Sequence, residues 1–416
     1  MHVALVPVGT RGDVEPMLVL GAALQRRGHE VIVGAPADHR ARIEARGFTY
    51  HRVGIELQAR LQELELQRVS KLRAFREARR IMLASAPTEI DDAVAATDGA
   101  DLVVSAGTGF GAFHAAEKLG VPCCSAFYAP GWIPSASHAP IMLPLHGLPR
   151  VVNRLLWRMM QRQGDSMLLA PVNEARERLG LPALRSVLQA TPHRALLAYD
   201  PLFGAAPNDA QAVLPSWPQL DAVQVGALID QERHPLDERV ERFLASGAPP
   251  VFVGFGSVPD GNPAVLGAML EAVASRLDQR FIWSLGWSSG EVPTSARVLV
   301  IREAPFGALF PRCRLVLHHG GAGTTATALR AGVPQLVVPH IADQFFFGRQ
   351  IAAQGLGPPP IPRRRLTATT LERALRRSFA LEEQLRARAR ELAAQVPDDP
   401  VAAAVTALER WARPVA

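Results

Sequence analysis

Residues 318–334, HHGGAGTTATALRAGVP, decide the fold class of this 416-residue chain. The preceding apolar run RLVLHH (314–319) predicts a buried strand, and TTATALRAG (324–332) predicts a helix ending at Gly332. Glycines at a strand-to-helix junction let another group approach the backbone closely. Because a helix N-terminus presents unpaired N–H groups and partial positive charge, we expect a phosphate group to bind here.

Short apolar strands alternate with helical segments in both halves of the chain. This alternation predicts parallel sheets with helical crossovers, and therefore the α/β class with two doubly wound, Rossmann-like domains. If the two domains face each other, they enclose a deep cleft, where we expect the substrate. The predicted strands are HVALVPV (2–8), EVIVGAP (30–36), DLVVSA (101–106), PPVFVGFGS (249–257), RFIWSLG (280–286), VLVIREAP (298–305), RLVLHH (314–319) and PQLVVPH (334–340).

The chain is too long for one ordinary core. Prolines crowd residues 201–250, so we place a domain boundary there and predict domains over 1–228 and 229–398. A final helix over 399–416 is expected to pack back on the first domain. Segments 57–84 and 128–162 interrupt the alternation, and such insertions commonly carry ligand contacts.

The composition is that of a globular protein, with 48% hydrophobic and 20% charged residues. No apolar run approaches the ~20 residues that cross a bilayer, and the N-terminus predicts a strand rather than a signal peptide. Cys123, Cys124 and Cys313 fit neither a disulfide framework nor a zinc site, so we expect a reducing, cytoplasmic setting and no metal.

Net charge is +6, but basic residues cluster only in 68–80 and Arg363–Arg365. Neither segment interleaves basic residues with aromatic ones, which argues against a nucleic-acid partner. We interpret both as solvated surface. The alternative is a weak attraction to phosphates or to an anionic membrane surface.

Two carboxylates follow predicted strands. Asp13, in VPVGTRGDVEP (6–16), precedes a helix and could serve as a helix cap, as a general base, or as both, since residue type does not separate the roles. Asp343 could also be a cap, although with Gln344 it forms an acceptor–donor pair suited to sugar hydroxyls.

Other residues leave more than one interpretation open. The loop Gly254–Ser257 is as typical of a turn as of a ligand loop, and we interpret the glycines at 107, 109 and 111 as close helix–strand packing. Aromatic and methionine side chains in or beside the segment 128–162 are typical either of a hydrophobic core or of an apolar acceptor pocket. With Gly12, the acceptor candidates are Phe127, Tyr128, Trp132 and Met142.

The segments GTRGDVEP (9–16), HHGGAGTTATALRAGVP (318–334) and PHIADQ (339–344) resemble the family 1 nucleotide-sugar glycosyltransferases, and most of all the sterol glucosyltransferases and bacterial antibiotic and macrolide glycosyltransferases. The resemblance implies the GT-B fold, with the acceptor bound by the first domain and the donor by the second. It assigns the catalytic base to Asp13. The donor-binding residues it implies are Gly256, Ser257, Trp287, Arg302, Ala304, His319, Gly321, Gly323, Thr324, Asp343 and Gln344.

The implied reaction inverts the anomeric carbon while a hexose passes from a UDP- or dTDP-sugar, UDP-glucose being favoured, to a hydroxyl of an apolar acceptor such as a sterol or polyketide. Asp13 takes the proton, and His319 with the helix terminus stabilises the diphosphate. The nucleotide sugar is a co-substrate and we expect no cofactor. The chain has no Asp-x-Asp sequence, which argues against a metal. Thr327 replaces a glutamate with which plant relatives hold the ribose.

Three alternatives remain at this point. A nucleotide-sugar epimerase would use the same donor site without an acceptor. A nicotinamide-dependent oxidoreductase would need a Gly-x-Gly-x-x-Gly fingerprint after the first strand, and the chain lacks it. A non-catalytic sugar-nucleotide-binding relative would keep the glycine-rich site and lose the base.

Overall fold

A computed structural model describes residues 1–56, 86, 88–107, 109–232, 234–257, 262–288, 292 and 294–412. The insertion 57–84 and the basic segment 68–80 lie outside these residues. The chain divides into two compact units. The N-terminal unit is Met1–Leu228 with Pro397–Ala416, and the C-terminal unit is Ile229–Val396.

The N-terminal unit contains a seven-stranded sheet in the order β3-β2-β1-β4-β5-β6-β7. Every pair of neighbouring strands is parallel, as the alternation of strands and helices predicts. Its strands are β1 (His2–Val8), β2 (Glu30–Ala35), β3 (Thr49–Arg52), β4 (Leu102–Gly107), β5 (Cys123–Phe127), β6 (Arg194–Leu197) and β7 (Asp221–Gln224).

The C-terminal unit contains a five-stranded parallel sheet in the order β10-β9-β8-β11-β12. This order repeats the first five strands of the other sheet, so both sheets reverse direction beside their first strand. Ligands of doubly wound folds bind at the carboxyl ends of the strands at that reversal. Its strands are β8 (Val251–Gly254), β9 (Phe281–Ser284), β10 (Val298–Ile301), β11 (Leu315–His318) and β12 (Gln335–Val337).

Helices connect the strands of both sheets. In the N-terminal unit they are α1 (Arg11–Arg26), α2 (Arg40–Glu44), α3 (Gly111–Leu119), α4 (Arg150–Arg178), α5 (Ala210–Val213) and, at the end of the chain, α13 (Pro400–Ala412). In the C-terminal unit they are α6 (Glu238–Ala245), α7 (Pro263–Leu277), α8 (Phe306–Leu309), α9 (Ala322–Arg330), α10 (Gln344–Ala353), α11 (Ala368–Ala380) and α12 (Glu382–Ala393). Residues 88–96 are also helical. Short 3₁₀ turns cover Ala37–His39, Pro130–Trp132, Val187–Ala190, Pro201–Phe203, Phe310–Arg312 and Arg363–Arg365.

The strands of the C-terminal sheet are apolar on both faces because helices cover both. Val251, Val253 and Phe281 belong to one core cluster, whereas Phe252 and Ile282 belong to the other. Alternate residues of a strand point to opposite faces, so a strand buried on both sides needs an unbroken apolar run. This requirement explains why these strands are readable in the sequence.

The last helix, α13, packs on α1 of the N-terminal unit. Glu409 pairs with His29 at 3.0 Å and with Arg27 at 3.3 Å, and the Trp411 indole donates a 2.6 Å hydrogen bond to Asp221. These contacts place the chain terminus in the N-terminal unit. Among the helices that the structure describes, none has both the length and the hydropathy of a membrane-spanning segment.

Candidate functional site

In the C-terminal unit, the predicted phosphate loop joins β11 to α9. Gly320 has a φ of +91°, and Gly321 occupies the N-cap position of α9 without a side-chain capping bond. A Cβ on Gly320 would meet Val337 Cγ1 at 2.7 Å and the Gln344 carbonyl at 2.9 Å, so both conformation and space require glycine there. The uncapped N–H groups of α9 are those expected to bind an anion.

The two histidines of this loop have different surroundings. His318 is fully buried, and its Nδ1 accepts a hydrogen bond from the Gly320 N–H at 3.1 Å. Nδ1 is therefore unprotonated, so Nε2 carries the hydrogen and donates to Gln335 Oε1 at 2.9 Å. Burial lowers the pKa of His318 to about 3, which keeps the ring neutral. His318 holds the turn rather than a ligand.

The His319 ring lies between the glycines of two loops. A Cβ on Gly256 would lie 2.8 Å from His319 Cε1, and one on Gly321 would lie 2.5 Å from Nε2. Burial lowers the pKa of His319 to about 4, although the Gly254 backbone opposes the shift. Its Nδ1 is buried and has no hydrogen-bond partner among the described residues. A neutral ring in this setting offers a single N–H donor beside the uncapped helix.

A third loop, after β9, closes around the same glycine. Gly286, with a φ of +56°, packs against the Gly256 carbonyl, to which the Trp287 N–H donates at 3.4 Å. The Arg302 guanidinium donates to the Ser288 carbonyl at 3.4 Å. The structure thus brings Gly256, Trp287 and Arg302 into one connected set of loops. Ser257 is buried beside Gly256, and Ala304 packs at the edge of the core cluster that contains Phe252.

Asp343 and Gln344 begin α10. Asp343 occupies the N-cap position, but its side chain makes no capping bond, so the cap interpretation is wrong for this carboxylate. Gln344 Oε1 accepts the His340 N–H at 2.8 Å and the Ile341 N–H at 3.1 Å, which leaves only its NH₂ group as a donor. Ala342, just before them, has a φ of +46°, a strained conformation for a residue with a Cβ.

The threonines of α9 have different roles. Thr324 is half-buried and Gly323 is exposed at the start of the helix. Thr325 is buried, and its hydroxyl has no hydrogen-bond partner in the part of the chain that the structure describes. The Thr327 hydroxyl donates to the Gly323 carbonyl at 2.8 Å within its own helix.

In the N-terminal unit, Asp13 lies in the first turn of α1 and not before the helix. Thr10 is the N-cap, and Asp13 completes a capping box in which its Oδ2 accepts the Thr10 N–H at 2.7 Å and the Thr10 hydroxyl at 3.2 Å. Oδ1 accepts no hydrogen bond from another described residue. Desolvation raises the pKa of Asp13 to about 6, although the bonds from Thr10 oppose the shift. Oδ2 therefore caps the helix, and Oδ1 remains available to accept a proton.

The predicted acceptor residues have different environments. The Tyr128 hydroxyl donates to the backbone carbonyl of Asp13 at 2.9 Å, so Tyr128 holds the first turn of α1. Phe127 packs against a core cluster of the N-terminal unit, and Trp132 is half-buried in a 3₁₀ turn. Gly12 and Met142 are exposed. The structure therefore brings Tyr128 to Asp13 as a support, and leaves Met142 on the surface.

The contact of two glycines with Asp13 was not predicted from the sequence. Gly9 packs on the Asp13 carboxylate, and a Cβ on Gly107 would lie 3.0 Å from Asp13 Cγ. The interpretation of this glycine-rich run as helix–strand packing is therefore incomplete at Gly107, and it does not hold at Gly111, where an added Cβ would meet Glu89 and Ala93 of the helical residues 88–96. At Gly109 an added Cβ would meet Val8 of β1 at 2.7 Å. The repeated glycines of this run were the feature of the sequence that could have indicated a close approach to another side chain.

A buried carboxylate supports the neighbouring loop. Glu89 Oε1 accepts the N–H groups of Phe110 at 3.0 Å and Gly111 at 3.1 Å, and so caps α3 from outside the helix. Desolvation raises the pKa of Glu89 to about 7, while these two bonds oppose the shift. No short-range pattern in the sequence connects position 89 with position 110.

One group of metal-ligand side chains occurs within the described ranges. Asp230, Glu232 and His234 have ligand atoms within 4.8 Å of one another, and His234 pairs with Asp230 at 2.8 Å. The last two are exposed, and exposed acidic groups of this kind commonly hold no ion. We assign no metal to them.

Comparison with known proteins assigns the chain to a family. Residues 3–137 match the glycosyltransferase family 28 N-terminal domain, and residues 270–409 match the erythromycin biosynthesis protein CIII-like C-terminal domain. The chain therefore belongs to the family 1 nucleotide-sugar glycosyltransferases of GT-B fold, and it is a glycosyltransferase.

Individual relatives cover nearly the whole chain. It is 34% identical to glycosyltransferase GtfE of Amycolatopsis orientalis, over 98% of this chain and 97% of that protein. It is 31% identical to sterol 3-beta-glucosyltransferase UGT80B1 of Arabidopsis thaliana, over 100% of this chain and 68% of that protein. Among solved structures, the glycosyltransferase VinC in complex with dTDP superposes with a TM-score of 0.69 at 22% identity, covering 99% of both chains.

Proposed function

We propose that the protein is an inverting glycosyltransferase that moves a hexose from a UDP- or dTDP-sugar to a hydroxyl of an apolar small molecule. The observation that carries this proposal is the uncapped N-terminus of α9, framed by Gly256, His319 and Gly321. In a member of this family, such a site suits the diphosphate of an activated sugar.

The leaving diphosphate gains negative charge as the sugar departs. Because the pKa of His319 is lowered to about 4, its neutral ring acts as a hydrogen-bond donor rather than as a cation. The positive end of the α9 dipole supplies the complementary field. A preorganised donor of this kind contributes about 3 kcal/mol to a transition state. The reaction needs neither a metal nor a cofactor on this proposal.

Asp13 is the proposed general base. Its carboxylate takes the proton of the acceptor hydroxyl as the oxygen attacks the anomeric carbon, the bond to the diphosphate breaks, and the configuration inverts. The raised pKa of about 6 makes Asp13 a stronger base than a solvated aspartate while it stays ionised at neutral pH. Thr10 and Tyr128 hold it through one carboxylate oxygen and its backbone carbonyl.

The names of relatives support the two substrate classes. A relative 33% identical over 98% of this chain is named vancomycin aglycone glucosyltransferase, and another is the sterol glucosyltransferase above. Both names specify glucosyl transfer, in one case to vancomycin aglycone and in the other to a sterol. We therefore favour UDP-glucose as donor, with dTDP-sugars as the alternative that the dTDP complex of VinC supports. Asp343 and the free NH₂ group of Gln344 are the proposed contacts to the sugar hydroxyls.

The decisive experiment is the Asp13→Asn variant. The amide oxygen can still accept the Thr10 N–H, and a neutral side chain avoids the desolvation cost that raises the pKa of Asp13, so we expect a melting temperature no lower than the parental one at neutral pH, together with loss of transfer. Asp101→Asn is the matched control, because Asp101 also accepts a backbone N–H, from His2 at 2.7 Å, on the exposed surface. Transfer should be assayed in EDTA with a panel of nucleotide sugars and acceptors. If Asp13→Asn transfers sugar at the parental rate, Asp13 is only part of the capping box.

A further inference from the structure

Most of the large hydrophobic side chains that the described residues expose lie in one segment. Eight of the eleven fall between residues 142 and 160. Met142, Leu143 and Leu145 precede α4, and the other five lie on its first three turns. Single exposed apolar residues are ordinary, but a contiguous group marks an interaction surface.

The orientation of α4 is fixed by its opposite face. Asn153 donates to the Ala136 carbonyl at 2.9 Å, and the buried Trp157 indole donates to the His138 carbonyl at 3.0 Å. Successive helical residues turn by about 100°, so Val151, Leu155 and Met159 fall on the side away from these anchors. Their exposed fractions are 73%, 55% and 55%. The apolar side chains therefore point outward because the fold holds the helix that way.

The same segment also contains arginines that are spaced along the helix rather than clustered in the sequence. Residues 142–163 contain four arginines, spaced four apart at positions 150, 154, 158 and 162, and no aspartate or glutamate. That spacing forms a line along the helix, next to the apolar line. The Arg150 side chain is 71% exposed and approaches Asp209 only at 3.7 Å. An outward apolar face flanked by arginines is the pattern of helices that lie in a membrane interface.

We propose that this apolar–basic surface, formed by residues 142–163, docks on a bilayer that contains anionic phospholipids. The apolar side chains would enter the boundary between headgroups and acyl chains, and the arginines would pair with lipid phosphates. A second copy of the chain fits less well, because it would bring two sets of arginines together with no carboxylate from either segment. The proposal assigns Met142, an acceptor candidate from the sequence, to the membrane surface, and it does not depend on the donor chemistry above.

Vesicle flotation of the full chain tests the proposal. We expect binding to vesicles of phosphatidylcholine mixed with phosphatidylglycerol, and much weaker binding to phosphatidylcholine alone. Leu155→Glu should lose this binding, whereas Val265→Glu on α7, a side chain of 62% exposure, is the matched control and should keep it. Arg162→Gln should weaken binding about fivefold, as expected for one arginine near an anionic surface. Arg364→Gln, which changes an exposed arginine outside this surface, should leave binding unchanged.

Three results would overturn the proposal. The first is that the parental protein fails to float with the anionic vesicles. The second is that Val265→Glu weakens binding as much as Leu155→Glu does, or that Arg364→Gln weakens it as much as Arg162→Gln does. The third is that the parental protein is a dimer, that Leu155→Glu converts it to a monomer, and that neither protein binds vesicles. That result would assign the surface to contact with a second copy of the chain. Melting temperatures of all variants check that each remains folded.

Discussion

Replacing Gly256 by alanine tests whether the glycine holds the His319 ring in place. The residue has a φ of +64°, and an added Cβ would lie 2.8 Å from His319 Cε1 and 3.1 Å from Nε2. Carbon atoms in contact lie about 3.5–4.0 Å apart, so the ring or the loop must move. The substitution therefore combines backbone strain with displacement of a predicted donor.

The cost of backbone strain and the cost of displacing the His319 ring can be separated by comparison with a second glycine. A left-handed conformation costs a residue with a Cβ about 1–2 kcal/mol, and overpacking adds about 1–3 kcal/mol. Gly355→Ala is the matched control, because Gly355 has a φ of +71° in the same unit and an added Cβ would meet only Arg388 Cγ, at 3.6 Å. We expect both variants to lose stability, and Gly256→Ala to lose more.

Urea unfolding gives the free energies, and a steady-state transfer assay gives the rates. Displacing the His319 donor should lower the transfer rate of Gly256→Ala by about 10²-fold and weaken its thermal stabilisation by nucleotide sugar. Gly355→Ala should transfer at nearly the parental rate. If the two variants are equally destabilised and both transfer normally, the contact between Gly256 and His319 has no part in donor binding.

Two further predictions concern the acidic residues and their supports. Transfer should rise with pH through about 6 and then level off, since the pKa of Asp13 is raised to about 6 and only the ionised base accepts a proton. A transfer rate that does not change between pH 7 and pH 4 would exclude Asp13 as the general base. Because this folded pKa exceeds the unfolded one, Asp13 lowers the free energy of unfolding as pH rises from about 4 to 6. Ala342→Gly should raise stability by up to about 1 kcal/mol in urea unfolding, since glycine removes the left-handed strain; an unchanged or lower value would show that Ala342 is unstrained.

The sequence was most informative where strands are buried on both faces. HVALVPV matches β1 (His2–Val8), and all five predicted strands of the second half match β8 to β12, with ends shifted by up to four residues. Four strands of the N-terminal sheet were missed. β3 (Thr49–Arg52) is a polar edge strand, and β7 (Asp221–Gln224) lies in the proline-rich zone where periodicity is weak. β7 pairs with β6, which the sequence did not identify either, whereas the partner of β3 is the predicted strand β2.

The sites could be predicted in part, since residue types identify candidate groups but not their hydrogen bonds. The helix start was misplaced at Asp13 because the capping box begins at Thr10, three residues earlier. The roles of His318 and His319 could not be distinguished from sequence, as they depend on Gln335 and on two glycine loops. Glu89 carries no local signal at all.

Both units use glycine for the same physical purpose. In one, Gly9 and Gly107 pack on the Asp13 carboxylate, and in the other Gly256 and Gly321 pack on the His319 ring. A Cβ at these positions would collide with the polar side chain itself, so the glycines determine where that side chain can lie. The glycine-rich loop after β11 therefore has two functions: it exposes the N–H groups of α9 and makes room for His319. That second requirement explains why more glycines occur there than a turn and a helix cap need.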